Sequence, residues 1–138
     1  TYLRSVDLSK NFISKIEEFT FSRNRDNYIN TINLKKNKLK IIKNFYFKNL
    51  MKLEILRIDE NQLSVIEFNS FVDLVRLDVL DLSHNCLVKL HPMLFSNLKV
   101  LRDLNLEFNL LNYLDENIFK NLKNLQTLNL NSNRLDIL

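Results

Sequence analysis

Six asparagines set the frame for the whole chain. Asn11, Asn37, Asn61, Asn85, Asn109 and Asn133 follow one another at intervals of 26, 24, 24, 24 and 24 residues. Aliphatic side chains stand at fixed offsets from each. Eight residues before them lie Leu3, Ile29, Leu53, Leu77, Leu101 and Leu125; five before, Val6, Ile32, Leu56, Leu80, Leu104 and Leu128; three before, Leu8, Leu34, Ile58, Leu82, Leu106 and Leu130. Two after come Ile13, Leu39, Leu63, Leu87, Leu111 and Leu135, and five after, Ile16, Ile42, Ile66, Leu90, Leu114 and Leu138. Such a period marks a stacked array. One unit cannot bury its apolar side alone, and neighbours complete a shared core. Ten residues after the first five asparagines stand Phe21, Phe47, Phe71, Phe95 and Phe119, and three further on Leu50, Leu74, Leu98 and Leu122. The first unit has Asn24 in that last column and carries two extra residues within the stretch 22–28, which predicts an irregular outer loop there.

Around each asparagine the pattern reads L-x-x-L-x-L-x-x-N-x-L, and in this the chain resembles the leucine-rich repeat family. The 24-residue unit with a phenylalanine in its outer half is similar to the "typical" subclass found in extracellular receptors of the Toll-like and related kinds. The resemblance implies an α/β solenoid over residues 1–138, with about six units. A parallel β-sheet would line its concave side, and loops or short helices its convex side. It also implies that each asparagine bonds to neighbouring backbone and fixes the turn after the strand. The physical basis is general. In L-x-L the side chains alternate, so the leucines enter the core and the residues between them face outward. The turn that follows leaves buried polar groups that need partners.

The chain has no glycine and a single proline, Pro92, but 21 asparagines. Asparagine is the residue after glycine that best tolerates positive φ, so the turns are expected to be built on it. Cys86 is the sole cysteine, so no intrachain disulfide forms. No apolar run approaches the roughly 18 residues that a membrane span requires, and the first ten residues do not resemble a signal peptide. Strand pattern begins almost at Thr1, and core-column residues Leu3 and Leu138 have no outer neighbour. The expectation is a piece of a longer protein, lacking both caps and marginally stable alone.

Charge is unevenly placed. Residues 1–52 hold 12 Lys and Arg against 4 Asp and Glu, and residues 53–138 hold 8 against 12, so a +8 part adjoins a −4 part. The basic end suits an anionic partner; the plainer reading, which is preferred, is a solvated lysine-rich surface.

Nothing in the sequence points to catalysis. A phosphate-binding loop of the usual glycine-rich kind is excluded without glycine. His84 and His91 are the only histidines, and no cysteine–histidine spacing suggests zinc. His84 and Cys86 do not meet reliably on a strand and have no third group to orient them. Catalytic, cofactor and metal residues are therefore expected to be none. Function falls to the outward residues between the leucines, with Lys35, Lys36, Arg57, Asp59, Asp81, His84, Glu107, Phe108 and Leu110 as candidate partner-binding residues.

Equivalent positions in neighbouring units lie close enough to interact. Lys35 should sit beside Asp59, Lys36 beside Glu60, and Arg57 between Asn33 and Asp81. These are either surface ion pairs, each worth about 0–1 kcal/mol, or a face patterned for a partner of mixed charge. Phe108 and Leu110, with His84 and Cys86 next to them, should form a small exposed apolar patch unless flanking loops cover it. Lys35, Lys36, Lys38, Lys40 and Lys43 make a basic cluster, but no nucleic-acid motif accompanies it. The expected partner is a protein ligand or co-receptor, with no nucleic acid and no membrane contact from this segment. The expected setting is extracellular or at the cell surface. The alternative is a cytoplasmic scaffold or regulatory subunit, which a free Cys86 suits. None of the asparagines lies in an N-x-S/T glycosylation site. A third alternative is a receptor enzyme whose catalytic domain lies elsewhere.

Overall fold

A computed structural model of the chain describes residues 2–22 and 27–137. Every asparagine-centred unit gives one three-residue strand: β1 Ser5–Asp7, β2 Thr31–Asn33, β4 Ile55–Arg57, β6 Val79–Asp81, β7 Asp103–Asn105 and β8 Thr127–Asn129. These six strands form one parallel sheet in the order β1-β2-β4-β6-β7-β8. Two further two-residue strands, β3 Ile41–Ile42 and β5 Val65–Ile66, pair with each other beside it. The repeat fixes the register. Val6, Ile32, Leu56, Leu80, Leu104 and Leu128 lie side by side across the sheet. Ile32, Leu56, Leu80 and Leu104 are buried, as are Leu34, Ile58, Leu82 and Leu106 of the next column. At the two ends the core columns open: Leu3, of the column with Ile29 and Leu53, is 65% exposed, and Leu128 38%.

Phenylalanines form a second spine at the back of the core. Phe21 stacks on Phe47 at 6.2 Å between ring centroids, Phe47 on Phe71 at 6.3 Å and Phe95 on Phe119 at 6.3 Å. Parallel strands repeat at about 4.8 Å. The outer side therefore advances further per unit than the sheet, and the stack bends with the sheet on the inside.

That spacing corrects the expected α/β class. Among the described residues the convex side holds no helix, and the fold is a parallel β-solenoid. Side-by-side helices need 8–10 Å between axes, more than the spine provides. The outer segments instead run as successive four-residue turns. In the fourth unit the amides of Leu94, Ser96, Leu98 and Leu101 donate to the carbonyls of His91, Met93, Phe95 and Leu98 at 2.9–3.2 Å. The extra residues of the first unit are bracketed by Phe21 and Ile29, both buried and in register. Of the irregular stretch predicted there, residues 23–26, including Asn24, lie outside the described residues. Asn27 closes its far side, donating to the Phe21 carbonyl and accepting the Ile29 amide.

Asn49 takes φ 61° in the outer arc of the second unit, but the turns after the strands are not built on asparagine in the way expected. Positive φ falls on the residue before each repeat asparagine: Lys10, Lys36, Glu60, His84, Phe108 and Ser132, at 50–57°. A left-handed conformation costs such residues about 1–2 kcal/mol. The asparagine supports the turn from inside. The Asn61 Nδ2 donates to the carbonyls of Ile58 (3.1 Å), Asp59 (3.3 Å) and, one unit back, Leu34 (3.0 Å), while its Oδ1 accepts the Leu39 amide at 3.0 Å. Asn37, Asn85, Asn109 and Asn133 repeat the arrangement. The residue at positive φ also directs its own amide to the next unit, as Lys36 does to the Asp59 carbonyl at 3.0 Å and His84 to that of Glu107 at 2.9 Å. Each turn is thus held by bonds that a single unit could not make.

Candidate ligand-binding face

The inner face of the sheet is lined by the residues that alternate with the core leucines. At the last position of each strand stand Asp7, Asn33, Arg57, Asp81, Asn105 and Asn129. Five of these share one local role. Their Oδ1 atoms accept the amide two residues on, at 2.9–3.1 Å: Ser9, Lys35, Ser83, Glu107 and Asn131. A short polar side chain can close such a turn on its own backbone. The Asp81 Oδ1 also takes the Ser83 hydroxyl at 2.7 Å. Asp81, a candidate for partner contact, is thus already engaged in holding its strand end. Arg57 cannot play this part. It lies between Asn33 and Asp81 as the spacing required, is exposed, and closes no ion pair among the described residues.

Lys35 and Lys36 meet their predicted partners. The Lys35 Nζ lies 2.7 Å from the Asp59 Oδ2 and 3.0 Å from the Glu60 Oε1, and the Lys36 Nζ lies 3.1 Å from the Glu60 Oε2. Asp59 is buried beneath Lys35, and its Oδ1 has no hydrogen-bond partner. Hydrogen bonds to Asp59 and then Glu60 hold the Lys35 ammonium above its ordinary range, and Lys35 with Lys36 holds the Glu60 carboxyl below its own. These lysines are half exposed, so solvent screens the pairs and their contribution is small.

Of the expected apolar patch, the His84–Phe108 pair forms. The His84 and Phe108 rings stack at 4.5 Å and 16° between planes, with Phe108 47% exposed. Cys86 beside them is exposed. Leu110, expected to be exposed, is half-buried. Glu107 accepts a bond from the Asn129 Nδ2 at 2.7 Å.

Phe12, an outward position of the first unit on the same turn edge, is 86% exposed. Sequence reasoning missed one feature. Arg102 pairs with Asp78 along the sheet margin; the guanidinium holds that carboxyl below its ordinary range. Among the described residues no cluster of His, Cys, Asp and Glu is arranged to hold a metal, and no helix is long and apolar enough to cross a membrane.

Comparison with known proteins agrees with this architecture. The Leucine rich repeat family signature matches residues 27–87 and 77–135. No curated protein matches the sequence. Among solved structures, TLR13 in its complex with ssRNA13 is 32% identical, with a TM-score of 0.84 over 92% of this chain and 18% of that one. Toll from Drosophila, in its complex with Spatzle, is 26% identical with a TM-score of 0.87, over 96% of this chain and 19% of that one. A leucine-rich repeat protein of Leptospira interrogans is 26% identical with a TM-score of 0.86, over 99% of this chain and 33% of that one. This chain thus spans a third or less of each. One of the three is an RNA complex, so the likeness does not separate protein from nucleic-acid ligands, and the expected exclusion of nucleic acid draws no support from it. The chain belongs to the leucine-rich repeat family, with repeats similar to those of TLR13 and Toll.

Proposed function

We propose that the chain is a protein-recognition module of an extracellular or cell-surface receptor, binding through the inner face of its sheet and performing no chemistry of its own. The observation that carries this reading is the exposed His84–Phe108 ring pair on a face that also presents Lys36, Arg57, Asp103 and other polar or charged side chains. Aromatic anchors within a polar surround are the usual source of interface energy. The complex of Toll with Spatzle, a protein of similar fold with a bound partner, supports a recognition role.

A photo-cross-linking amino acid placed at Phe108, and separately at Lys99 on the outer side, tests it in the full-length protein. Adducts with another protein from position 108 alone are expected. Adducts from position 99 alone, or from both equally, would overturn it. A second reading, an intracellular scaffold, is favoured by one observation: Cys86 is free and exposed, a state that suits a reducing compartment. Secretion of the full-length protein from its own cells would decide against that reading.

A further inference from the structure

The inner face changes character along its length. In the first two units it carries Lys10, Lys35, Lys36 and Lys38. The third unit meets Lys35 and Lys36 with Asp59 and Glu60, so the acids at that border are neutralised from within the protein. Beyond the border stand Asp81, Asp103 and Glu107. None of these three is ion-paired among the described residues, and Arg57, opposite Asp81 in the register, does not close on it. Asp81 and Asp103 lie on neighbouring strands of one sheet, and Glu107 follows β7 on the same face.

The stacked rings of His84 and Phe108 stand in the turns that follow the same two strands, with Phe108 next to Glu107 in the chain. Their backbones sit at φ 51° and 50°, and their amides donate to the carbonyls of Glu107 at 2.9 Å and Asn131 at 3.0 Å. The ledge is therefore held in place before any ligand arrives, which lowers the cost of ordering it on binding. A polyanion would have to bring phosphates against three carboxylates. A cation gains from them, and an arginine can also lie flat on an aromatic face.

We infer that the fourth and fifth units dock a basic segment of a protein ligand. Its Lys or Arg is set against Asp81, Asp103 and Glu107, and an adjoining aromatic or arginine side chain lies on Phe108. This rests on the proposed use of the inner face for protein recognition and names the chemistry of the partner.

The test titrates four probes into isotope-labelled protein, followed by amide chemical shifts. Three are synthetic peptides of equal length built from Arg and Tyr, from Glu and Tyr, and from Arg and Ser; the fourth is a single-stranded uridine oligonucleotide. The Arg–Tyr peptide is expected to bind most tightly, to shift residues of the fourth and fifth units, and to weaken as salt rises. Phe108→Ala should weaken it about tenfold, as loss of an aromatic anchor does, Phe108→Tyr should restore it, and Asp103→Asn with Glu107→Gln should weaken it further. These residues are exposed or half-buried, so the variants keep the fold, which unchanged shifts elsewhere would verify. Tighter binding of the Glu–Tyr peptide or the oligonucleotide, shifts confined to the first two units, or no binding by any probe would overturn the inference. If position 108 cross-links protein while the order of the probes is reversed, the charge assignment alone fails. If only the outer side cross-links, the proposed function fails as well.

Discussion

Replacing Asn85 with alanine should separate the inter-unit role of the repeat asparagine from its role within its own turn. The side chain makes four hydrogen bonds: from Nδ2 to the carbonyls of Ile58, Leu82 and Ser83, each at 3.1 Å, and to Oδ1 from the Leu63 amide at 2.9 Å. The carbonyls are not abandoned in the variant. Ile58 keeps Asn61, Leu82 keeps Asn109, and Ser83 keeps the Glu60 amide. The Leu63 amide, on a buried residue, loses its partner. An orphaned buried donor costs about 1–3 kcal/mol, and three shared bonds at the low end of their net worth add about 0.5 kcal/mol each, so the expected loss is about 2.5–4.5 kcal/mol. Asn11 has the same place in the repeat but only two bonds, to Leu8 and Ser9 of its own unit, and is exposed. Asn11→Ala should therefore cost no more than about 1 kcal/mol. Asn85→Asp should be worse than Ala, because it sets a carboxylate against three carbonyl oxygens. Urea unfolding followed by circular dichroism measures the totals, and hydrogen exchange at Leu63 reads the local effect. Equal losses at Asn11 and Asn85, or a Leu63 amide that stays protected in Asn85→Ala, would refute the reasoning.

Three further outcomes are expected. Phe71→Ala, at the centre of the buried spine, should cost about 3–5 kcal/mol, whereas Phe12→Ala should stay within about 0.5 kcal/mol; thermal melting of both checks this. Lys36→Val should lose about 1 kcal/mol or more relative to Lys36→Asn, since φ there is 55° and a β-branched side chain resists that region; equal urea midpoints would count against it. The Glu60 carboxyl is held low in the folded chain by Lys35 and Lys36. Its stabilising contribution is thus present above its unfolded pKa and is lost as pH falls through the lower folded value. Acid titration of stability should show part of that loss disappear in a Lys35→Met, Lys36→Met variant, and an unchanged acid profile would remove Glu60 from the account.

The strands and their register were legible because alternation and a fixed period leave no second solution: a shift of one residue would turn every leucine outward. The pairing of Lys35 with Asp59 and the meeting of His84 with Phe108 followed directly from that register. Between the loops and the short helices expected on the convex side the family pattern does not choose, because it gives the length of the outer segment and not its width, which the ring stacking sets. The β3–β5 pair left a faint signal. Ile41-Ile42 and Val65-Ile66 are doubly β-branched, while the corresponding Lys89-Leu90 and Tyr113-Leu114 are not, and only the former pair as strands. The bond-forming role of Asn33, Asp81, Asn105 and Asn129 was hidden for another reason. The same letters that close a turn are those expected on a binding face, and only the geometry distinguishes them. Leu110 was placed correctly in sequence, but how deeply it sinks depends on its neighbours.

The first two strands pair in perfect register although 26 residues separate their partners, whereas 24 separate those of the second and third. Two surplus residues have passed through the outer arc without altering the phase of the sheet. Insertions between Phe21 and Ile29 leave every inner letter where it was, while one residue added between Leu56 and Asn61 would break the ladder and invert a strand. The perimeter is thus free to change in length and the inner face free to change in content, each without reference to the other. A tag, a glycan site or a binding loop grafted onto that perimeter would leave the inner face unchanged.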